Sequence, residues 1–178
     1  YFDAYAQLVR RGSVTCGDAI DFCVPTGNFG DVLAGYYAKL LGLPVGKLIV
    51  ASNANNVLTD FINTGVYDRR RDFHKTISPS MDILISSNLE RLLFDLSGEN
   101  DAEIRGYMNA LSTEGKYEES DTIKAQLAEQ YWGGFCDEAG TAAAIAEYYK
   151  DKDYLIDTHT AVAAAVMEQY RQATGDET

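Results

Sequence analysis

The chain has 178 residues, enough for one domain or two small ones, and 46% hydrophobic with 24% charged residues is the composition of a globular protein with a core. Its formal net charge of -12 at pH 7 argues against nucleic acid or an anionic membrane as a partner. The three cysteines show no C-x-x-C spacing, so the sequence predicts reduced thiols in the cytoplasm, with no signal peptide and no membrane-spanning segment.

A helix is predicted at the start of the chain. Apolar residues recur at helical spacing over residues 1–11, and Gly12 stands where a helix usually stops. No N-capping residue precedes this helix, and the first methionine is Met81. We therefore expect the chain to be part of a longer protein, with functional groups outside it.

The next segment has the pattern of a β-α-β unit. Residues 19–24 form an apolar run typical of a buried strand, and residues 31–41 carry the apolar stripe of a helix. Gly42 follows that helix, and residues 47–51 form a second apolar run. A unit of this kind predicts two parallel strands joined by a right-handed crossover.

Shorter elements follow, and strand signals then nearly vanish. The sequence predicts a short helix at 57–63, a short strand at 76–78, and a capping box at 87–90 before an apolar helix. After Gly98 the predicted elements are helical apart from a strand signal at 154–156. The predicted helices there cover residues 101–112, 120–132, 141–150 and 158–173. We therefore predict an α/β protein, with a parallel-sheet lobe over residues 1–98 and a mainly helical region over 99–178.

The segment from Thr26 to Asp31 connects the first strand to the next helix and contains two glycines. Glycines allow a tight turn that aims several N–H groups at one point, and the helix N-terminus adds partial positive charge. A phosphate group is the natural ligand of such a loop. The motif is neither G-x-G-x-x-G nor a P-loop, so an ordinary glycine-rich connection is an equally good interpretation.

Polar residues follow the other predicted strands. In an open parallel sheet, ligands bind beyond the carboxyl ends of the strands, so the loops 25–31, 52–56 and 79–82 are expected to share one edge. The alternative is that these side chains only satisfy turns and caps. The residues concerned are Asn53, Asn55, Asn56, Ser78, Ser80 and Asp82.

Two further features have structural and functional interpretations. Thr160 and His159 open the helix predicted at 158–173, where a capping role and a functional role are both open. The basic cluster at 68–75 could attract an anionic substrate, although local ion pairs on a solvated loop explain it as well. The sequence offers no Ser-His-Asp constellation and no metal-ligand spacing, so no metal site is predicted.

Several segments together resemble the threonine synthases of the bacterial and fungal type. These enzymes have fold type II of the pyridoxal 5'-phosphate (PLP) enzymes. The last segment, which ends in Asp157-Thr158-His159-Thr160-Ala161-Val162, resembles the family's Asp-Pro-His-Thr-Ala-Val motif, with Thr158 at the position of the usual proline. The segments are 24–39, 51–61, 76–83, 86–93 and 155–162.

The resemblance implies a function in threonine biosynthesis. Such an enzyme converts O-phospho-L-homoserine and water to L-threonine and phosphate, with PLP as cofactor. Thr160 is then expected to hydrogen-bond the pyridine nitrogen. The backbone amides expected to hold the PLP phosphate are those of Gly27, Asn28, Phe29, Gly30 and Asp31.

No lysine of this chain lies at the position that the resemblance implies for the lysine that binds PLP. In the family, the lysine that binds PLP lies well before the phosphate loop, so we expect no catalytic residue here, an upstream segment as partner, and an inactive fragment. One alternative is a threonine-synthase-like phospho-lyase that acts on another O-phosphorylated amino acid. A non-catalytic interaction module is the other.

Overall fold

The computed structural model describes residues 1–176 and contains two sheets and eight helices within that range. The strands are β1 (Ile20–Pro25), β2 (Val45–Ser52), β3 (Val66–Asp68), β4 (Lys116–Glu118) and β5 (Tyr131–Phe135). The helices are α1 (Phe2–Arg11), α2 (Gly30–Leu40), α3 (Val57–Thr64), α4 (Leu89–Leu96), α5 (Asp101–Thr113), α6 (Asp121–Gln130), α7 (Glu138–Lys152) and α8 (Thr158–Thr174).

The main sheet has three parallel strands in the order β1-β2-β5. Val24 pairs with Val50, and Ile49 pairs with Trp132, so β2 is the central strand. The small sheet pairs β3 with β4 in antiparallel fashion. The predicted α/β class and the β-α-β unit are confirmed, and the carboxyl ends of all three parallel strands meet at one edge.

Helices cover both faces of the main sheet. Successive residues of a strand point to opposite faces, and Leu48 and Val50 accordingly join the larger apolar core with helices α2 to α6. Ile49 and Ala51 point the other way and pack with Val162 and other apolar residues of α8. The helix at the end of the chain is therefore anchored on the strand that forms the centre of the sheet. Within the described part of the chain, no helix is long and apolar enough to cross a bilayer.

Several predicted elements agree with the structure. Helix α1 ends at Gly12, whose φ of 71° is left-handed, as the stop signal indicated. The helices predicted at 57–63, 101–112 and 158–173 are present with small shifts of their ends. The division of the chain at residue 98 stays a prediction, because the main sheet takes strands from both sides of it.

Four predictions about local structure are wrong. Residues 76–78 form no strand, since both the N–H and the hydroxyl of Thr76 donate to Asp82 and fold the segment into a turn. Residues 154–156 form no strand either, and Tyr154 and Leu155 are exposed between α7 and α8. Helix α6 ends at Gln130, and the strand β5 follows it at once. Ser87 does not cap α4, because the N-cap is Asn88.

Candidate functional site

The loop that joins β1 to α2 lies at the carboxyl edge of the main sheet. The hydrogen bonding of the sheet continues through Thr26, whose N–H donates to the carbonyl of Ala51 at 2.8 Å. Its N–H therefore cannot point at a ligand, which removes Thr26 from the expected set of converging amides. The residues that remain, 27–31, are called the glycine loop below.

The amides of the glycine loop have no acceptor. Among residues 1–176, no hydrogen bond is made by the N–H groups of Gly27, Asn28, Phe29, Gly30 or Asp31. The last two belong to the first turn of α2, whose N–H groups have no partner within the helix. Five adjacent free donors at a helix N-terminus are the arrangement that binds a phosphate group.

Residues before α4 hold the carbonyls of the glycine loop. Ser86 Oγ donates to the carbonyl of Gly27 at 2.9 Å, and Asn88 donates to the carbonyl of Asn28 through its backbone N–H at 3.2 Å and its Nδ2 at 2.9 Å. In a trans peptide the N–H points opposite to the preceding C=O. The N–H groups of Asn28 and Phe29 therefore point away from Ser86 and Asn88.

Phe29 gives the loop its turn. Its φ of 64° and ψ of -1° are left-handed, a conformation that costs a residue with a side chain roughly 1–2 kcal/mol. The ring offsets this cost because it is only 1% exposed and lies 6.0 Å from the ring of Tyr131 on β5. Left-handed backbone beside a right-handed helix makes a concave row of amides, called a nest, that binds anions.

Gly27 lies against the loop that precedes α4. A Cβ atom at this position would be 2.7 Å from the carbonyl oxygen of Ser80 and 3.1 Å from the Cα of Met81. Both neighbours are backbone atoms, so a side chain would force the two loops apart. Glycine is therefore required here by close approach, and its φ is not in the positive range.

The polar residues expected at the sheet edge mainly bond one another. The amide of Asn53 donates to Asp82 Oδ1 at 2.8 Å, and that of Asn55 donates to the same oxygen at 3.0 Å. Burial raises the pKa of Asp82, but donation from Thr76 and the two asparagines outweighs it and holds this pKa below its usual value. Ser78 is 1% exposed and belongs to the same network. These contacts support the interpretation that the asparagines satisfy turns.

Thr160 lies in the first turn of α8. The N-cap is Asp157, whose carboxylate accepts from the N–H of His159 at 2.8 Å and from that of Thr160 at 3.2 Å. The hydroxyl of Thr160 also donates to this carboxylate, and this bond is the largest cause that lowers the pKa of Asp157 to about 2. Thr160 is exposed, so its oxygen is accessible to a ligand.

The start of α8 contacts the loop beside Gly27. The N–H of Ser80 donates to Nε2 of His159 at 3.2 Å, and Nδ1 of His159 lies 3.2 Å from Asp157 Oδ1. Because the carbonyl of Ser80 is in contact with Gly27, a single residue separates the glycine loop from the turn that holds Thr160. Two segments more than 120 residues apart in sequence are thus neighbours at this edge.

The basic cluster forms internal ion pairs. Arg70 binds the carboxylate of Asp68 at 2.6 Å, and Arg71 binds that of Asp60 at 2.8 Å. Two lysines lie at the opposite end of the sheet from the glycine loop. Nζ of Lys39 donates to Gly46 near the amino end of β2, and Nζ of Lys47 donates to carbonyls that close α6.

Sequence reasoning missed two residues of this site, Ser86 and Asn88, and could not give the partner of a third, His159. Asn88 looked like part of a capping box, yet its side chain binds the glycine loop instead of the helix it precedes. Ser86 and His159 hold loops from other parts of the chain, so only the folded structure reveals their partners. Within residues 1–176, no group of three or more metal-binding side chains is present.

The chain is similar in sequence to threonine synthases and threonine-synthase-like proteins, although no family model matches it. It is 39% identical to threonine synthase of Pseudomonas aeruginosa over 97% of its length, and 41% identical to human Threonine synthase-like 1 over 96%. These matches span 36% and 23% of the two relatives, so the chain corresponds to a minor part of each.

Comparison of the fold with solved structures also identifies threonine synthases. The structure of PLP-bound threonine synthase from Brucella melitensis superposes with a TM-score of 0.86 and 38% identity, over 93% of this chain and 35% of that one. Agreement in sequence and in fold extends over nearly the whole chain. The chain is therefore a homologue of the threonine synthases and corresponds to a segment of them.

Proposed function

We propose that this chain is the part of a threonine synthase that holds the phosphate and the ring nitrogen of PLP, and that the enzyme converts O-phospho-L-homoserine and water to L-threonine and phosphate. The observation that carries the proposal is the row of five free amides in the glycine loop, beside the turn that contains Thr160. Bound PLP supplies an electron sink for elimination of phosphate and addition of water.

The residues present fit the phosphate of this cofactor. The amides of the glycine loop are five neutral donors, and α2 adds the partial positive charge of its N-terminus. Together they stabilise a bound phosphate without a basic side chain, which suits an acidic chain in which Arg70 and Arg71 of the basic cluster already form ion pairs. Ser86 and Asn88 keep the loop carbonyls turned away and thus prevent repulsion of the phosphate oxygens.

Thr160 fits a neutral contact to the ring nitrogen. It carries no charge, and because its single proton is donated to Asp157, its oxygen is oriented to accept from a protonated ring nitrogen; donation to an unprotonated nitrogen requires the hydroxyl to turn away from Asp157. A hydroxyl partner makes the ring a weaker electron sink than a carboxylate partner would. Asp157 orients this hydroxyl and fixes the first turn of α8, so the contact point is set by the helix cap.

The lysine that binds PLP covalently is proposed to lie upstream, in a segment outside this chain. The positions of Lys39 and Lys47, at the far end of the sheet, support this assignment. The chain spans 23% to 36% of the relatives described above, which leaves room for the missing group elsewhere in a complete enzyme. The three cysteines are unpaired, which supports the proposed cytoplasmic location.

A second candidate is a related phospho-lyase with another O-phosphorylated amino acid as substrate. Sequence identity does not distinguish a threonine synthase from a threonine-synthase-like protein, because the human Threonine synthase-like 1 protein is 41% identical and the Pseudomonas aeruginosa threonine synthase 39%. Substrate choice depends on a few pocket residues, some of which lie outside this chain. The two candidates share the proposed PLP site and differ only in the substrate they accept.

Product analysis with the full-length protein separates the candidates. The protein is incubated with O-phospho-L-homoserine or O-phospho-L-threonine, and released phosphate and amino-acid products are measured. L-threonine from the first substrate supports threonine synthase, whereas phosphate release from the second alone supports the phospho-lyase. A protein that binds no PLP by absorbance and releases no phosphate from either substrate would contradict both, and would favour the interaction module.

A further inference from the structure

Ser80 is in contact with both halves of the proposed PLP site. Its carbonyl oxygen approaches Gly27 so closely that a Cβ there would be 2.7 Å away. Its N–H donates to His159 Nε2 at 3.2 Å. The backbone of one residue therefore spans the gap between the glycine loop and the first turn of α8.

The segment that carries Ser80 is held firmly. It forms a 3₁₀ turn, Pro79–Met81, in which the N–H of Met81 donates to the carbonyl of Ser78 at 3.0 Å. Met81 is 3% exposed and Ser78 is 1% exposed, so both ends of the turn are buried. The network around Asp82 fixes the residues on either side. A displacement of α8 relative to the glycine loop would thus have to break the contact at His159.

The hydrogen bonds of His159 define its tautomer. Nε2 accepts from Ser80 and so carries no proton, while Nδ1 faces Asp157 Oδ1 at 3.2 Å and carries the hydrogen. Asp157 is also the cap that binds the N–H and the hydroxyl of Thr160. His159 and Thr160 are therefore adjacent residues fixed to one carboxylate.

We propose that His159 is a positioning residue that sets the separation between Thr160 and the amides of the glycine loop, so that one PLP molecule is held at its phosphate and at its ring nitrogen together. This inference rests on the proposed function. His159 need not touch the cofactor for this role, because it acts through Ser80 on one side and through the first turn of α8 on the other.

The test compares two ligands that differ in length. Inorganic phosphate occupies only the glycine loop, whereas PLP reaches both ends of the site. In the full-length protein, His159→Leu removes the acceptor for Ser80, and we expect PLP affinity to fall roughly five- to tenfold, as for the loss of one hydrogen bond. Phosphate affinity is expected to stay unchanged. Binding is measured by fluorescence titration for PLP and by phosphorus NMR for phosphate.

Two variants serve as matched controls. His159→Gln places an amide oxygen near the position of Nε2 and should recover most of the PLP affinity. His74→Leu makes the same change at the other histidine, whose hydrogen bonds to Asn55 are made by its backbone, and should change neither affinity. Circular dichroism is used to confirm that each variant folds. If His159→Leu does not fold, the positioning role of His159 is tested with the His159→Gln variant and with hydrogen exchange at residues 78–82.

A double variant adds a second criterion. If His159 acts by placing Thr160, then His159→Leu should cost little more PLP affinity in a Thr160→Val background, since the contact it positions is already lost. Fully additive losses would overturn the proposal. Equal weakening of phosphate and PLP would also overturn it, because it would indicate a general structural role, and so would unchanged PLP affinity in His159→Leu. A wild-type protein that binds neither ligand would refute the proposed function itself, and this inference with it.

Discussion

At the scale of single residues, the glycine loop shows what local sequence can and cannot reveal. A buried strand followed by Gly27 and Gly30 and then a helix predicts a turn with accessible amides, and the structure has both. The left-handed conformation belongs to Phe29, however, and to neither glycine. The left-handed conformation of Phe29 could not be predicted, because an aromatic residue adopts it only when burial of the ring offsets its energetic cost. Here the ring packs near Tyr131, which is about 100 residues away in sequence.

Gly27 provides a direct test of the loop. Gly27→Ala places a methyl group 2.7 Å from the carbonyl of Ser80, so the two loops must separate. We expect affinity for both PLP and phosphate to fall roughly tenfold or more, as strain from overpacking is transferred to the loop. Gly106→Ala is the control, since a Cβ added at this position in α5 would meet no atom of the surrounding structure within 4 Å. It should leave binding unchanged and raise stability by about 0.5–1 kcal/mol. Wild-type affinity in Gly27→Ala would contradict the close approach.

Glu119 is a buried acid with a defined effect on stability. It is 4% exposed, neither carboxyl oxygen has a partner among the described residues, and burial raises its pKa from 4.5 to about 8. The folded state therefore keeps a proton that the unfolded state has lost. The contribution of Glu119 to the free energy of unfolding is therefore largest below about pH 4.5 and decreases as pH rises toward about 8, by at most about 1.4 kcal/mol per pH unit.

Glu119→Gln should remove this contribution. Urea unfolding at several pH values is expected to show a smaller loss of stability between pH 5 and 8 than in the wild type. Glu118→Gln is the neighbouring control, because Glu118 binds Lys124 at the surface and its pKa is lowered. An identical pH dependence in the wild type and in Glu119→Gln would show that Glu119 is ionised in the folded protein.

At the scale of elements, the helices were largely predictable, but the strands β3, β4 and β5 were not. Regular apolar spacing and stop signals identified α1 and α8, because their buried faces repeat with the period of a helix. Strand β5 has the sequence Tyr-Trp-Gly-Gly-Phe, which lacks alternation and contains two residues that disfavour strands. The structure explains these glycines, since a Cβ at Gly133 would be 3.1 Å from the carbonyl of Thr59 on α3. Close packing of a helix on the strand overrides local preference here.

The cap of α8 joins helix stability to ligand binding. Asp157→Ala removes the side chain that accepts from His159 and Thr160, and should cost about 1 kcal/mol of stability as the loss of an N-cap. Asn100→Ala is the matched control, because Asn100 caps α5 by accepting from the N–H of Glu103. Both variants should unfold at similarly lower urea concentrations, but only Asp157→Ala should weaken PLP binding. Equal PLP affinity in the two variants would show that the N-cap of α8 does not contribute to PLP binding.

At the scale of the whole molecule, the chain is expected to contain the cofactor cradle without the covalent attachment point. Full-length protein with PLP is reduced with borohydride, and the labelled peptide is mapped. We expect the label on a lysine outside this chain, because the resemblance places the PLP lysine before the phosphate loop and no lysine of this chain precedes the glycine loop. Stoichiometric labelling of one lysine within residues 1–178 would refute the assignment. The same reduction without PLP is the control.

The position of β5 also bears on how the protein forms during synthesis. A ribosome releases β1 and β2 long before Tyr131 emerges, and until then the second edge of β2 has no partner strand. During that interval the unpaired backbone groups of β2 and the apolar face formed by Ile49 and Ala51 can associate with other chains, and α8, which covers this face, is synthesised later than β5. Completion of the sheet is thus delayed by nearly 80 residues of translation. A chaperone that shields this face of the nascent chain would act at the stage when the polypeptide is most prone to aggregate.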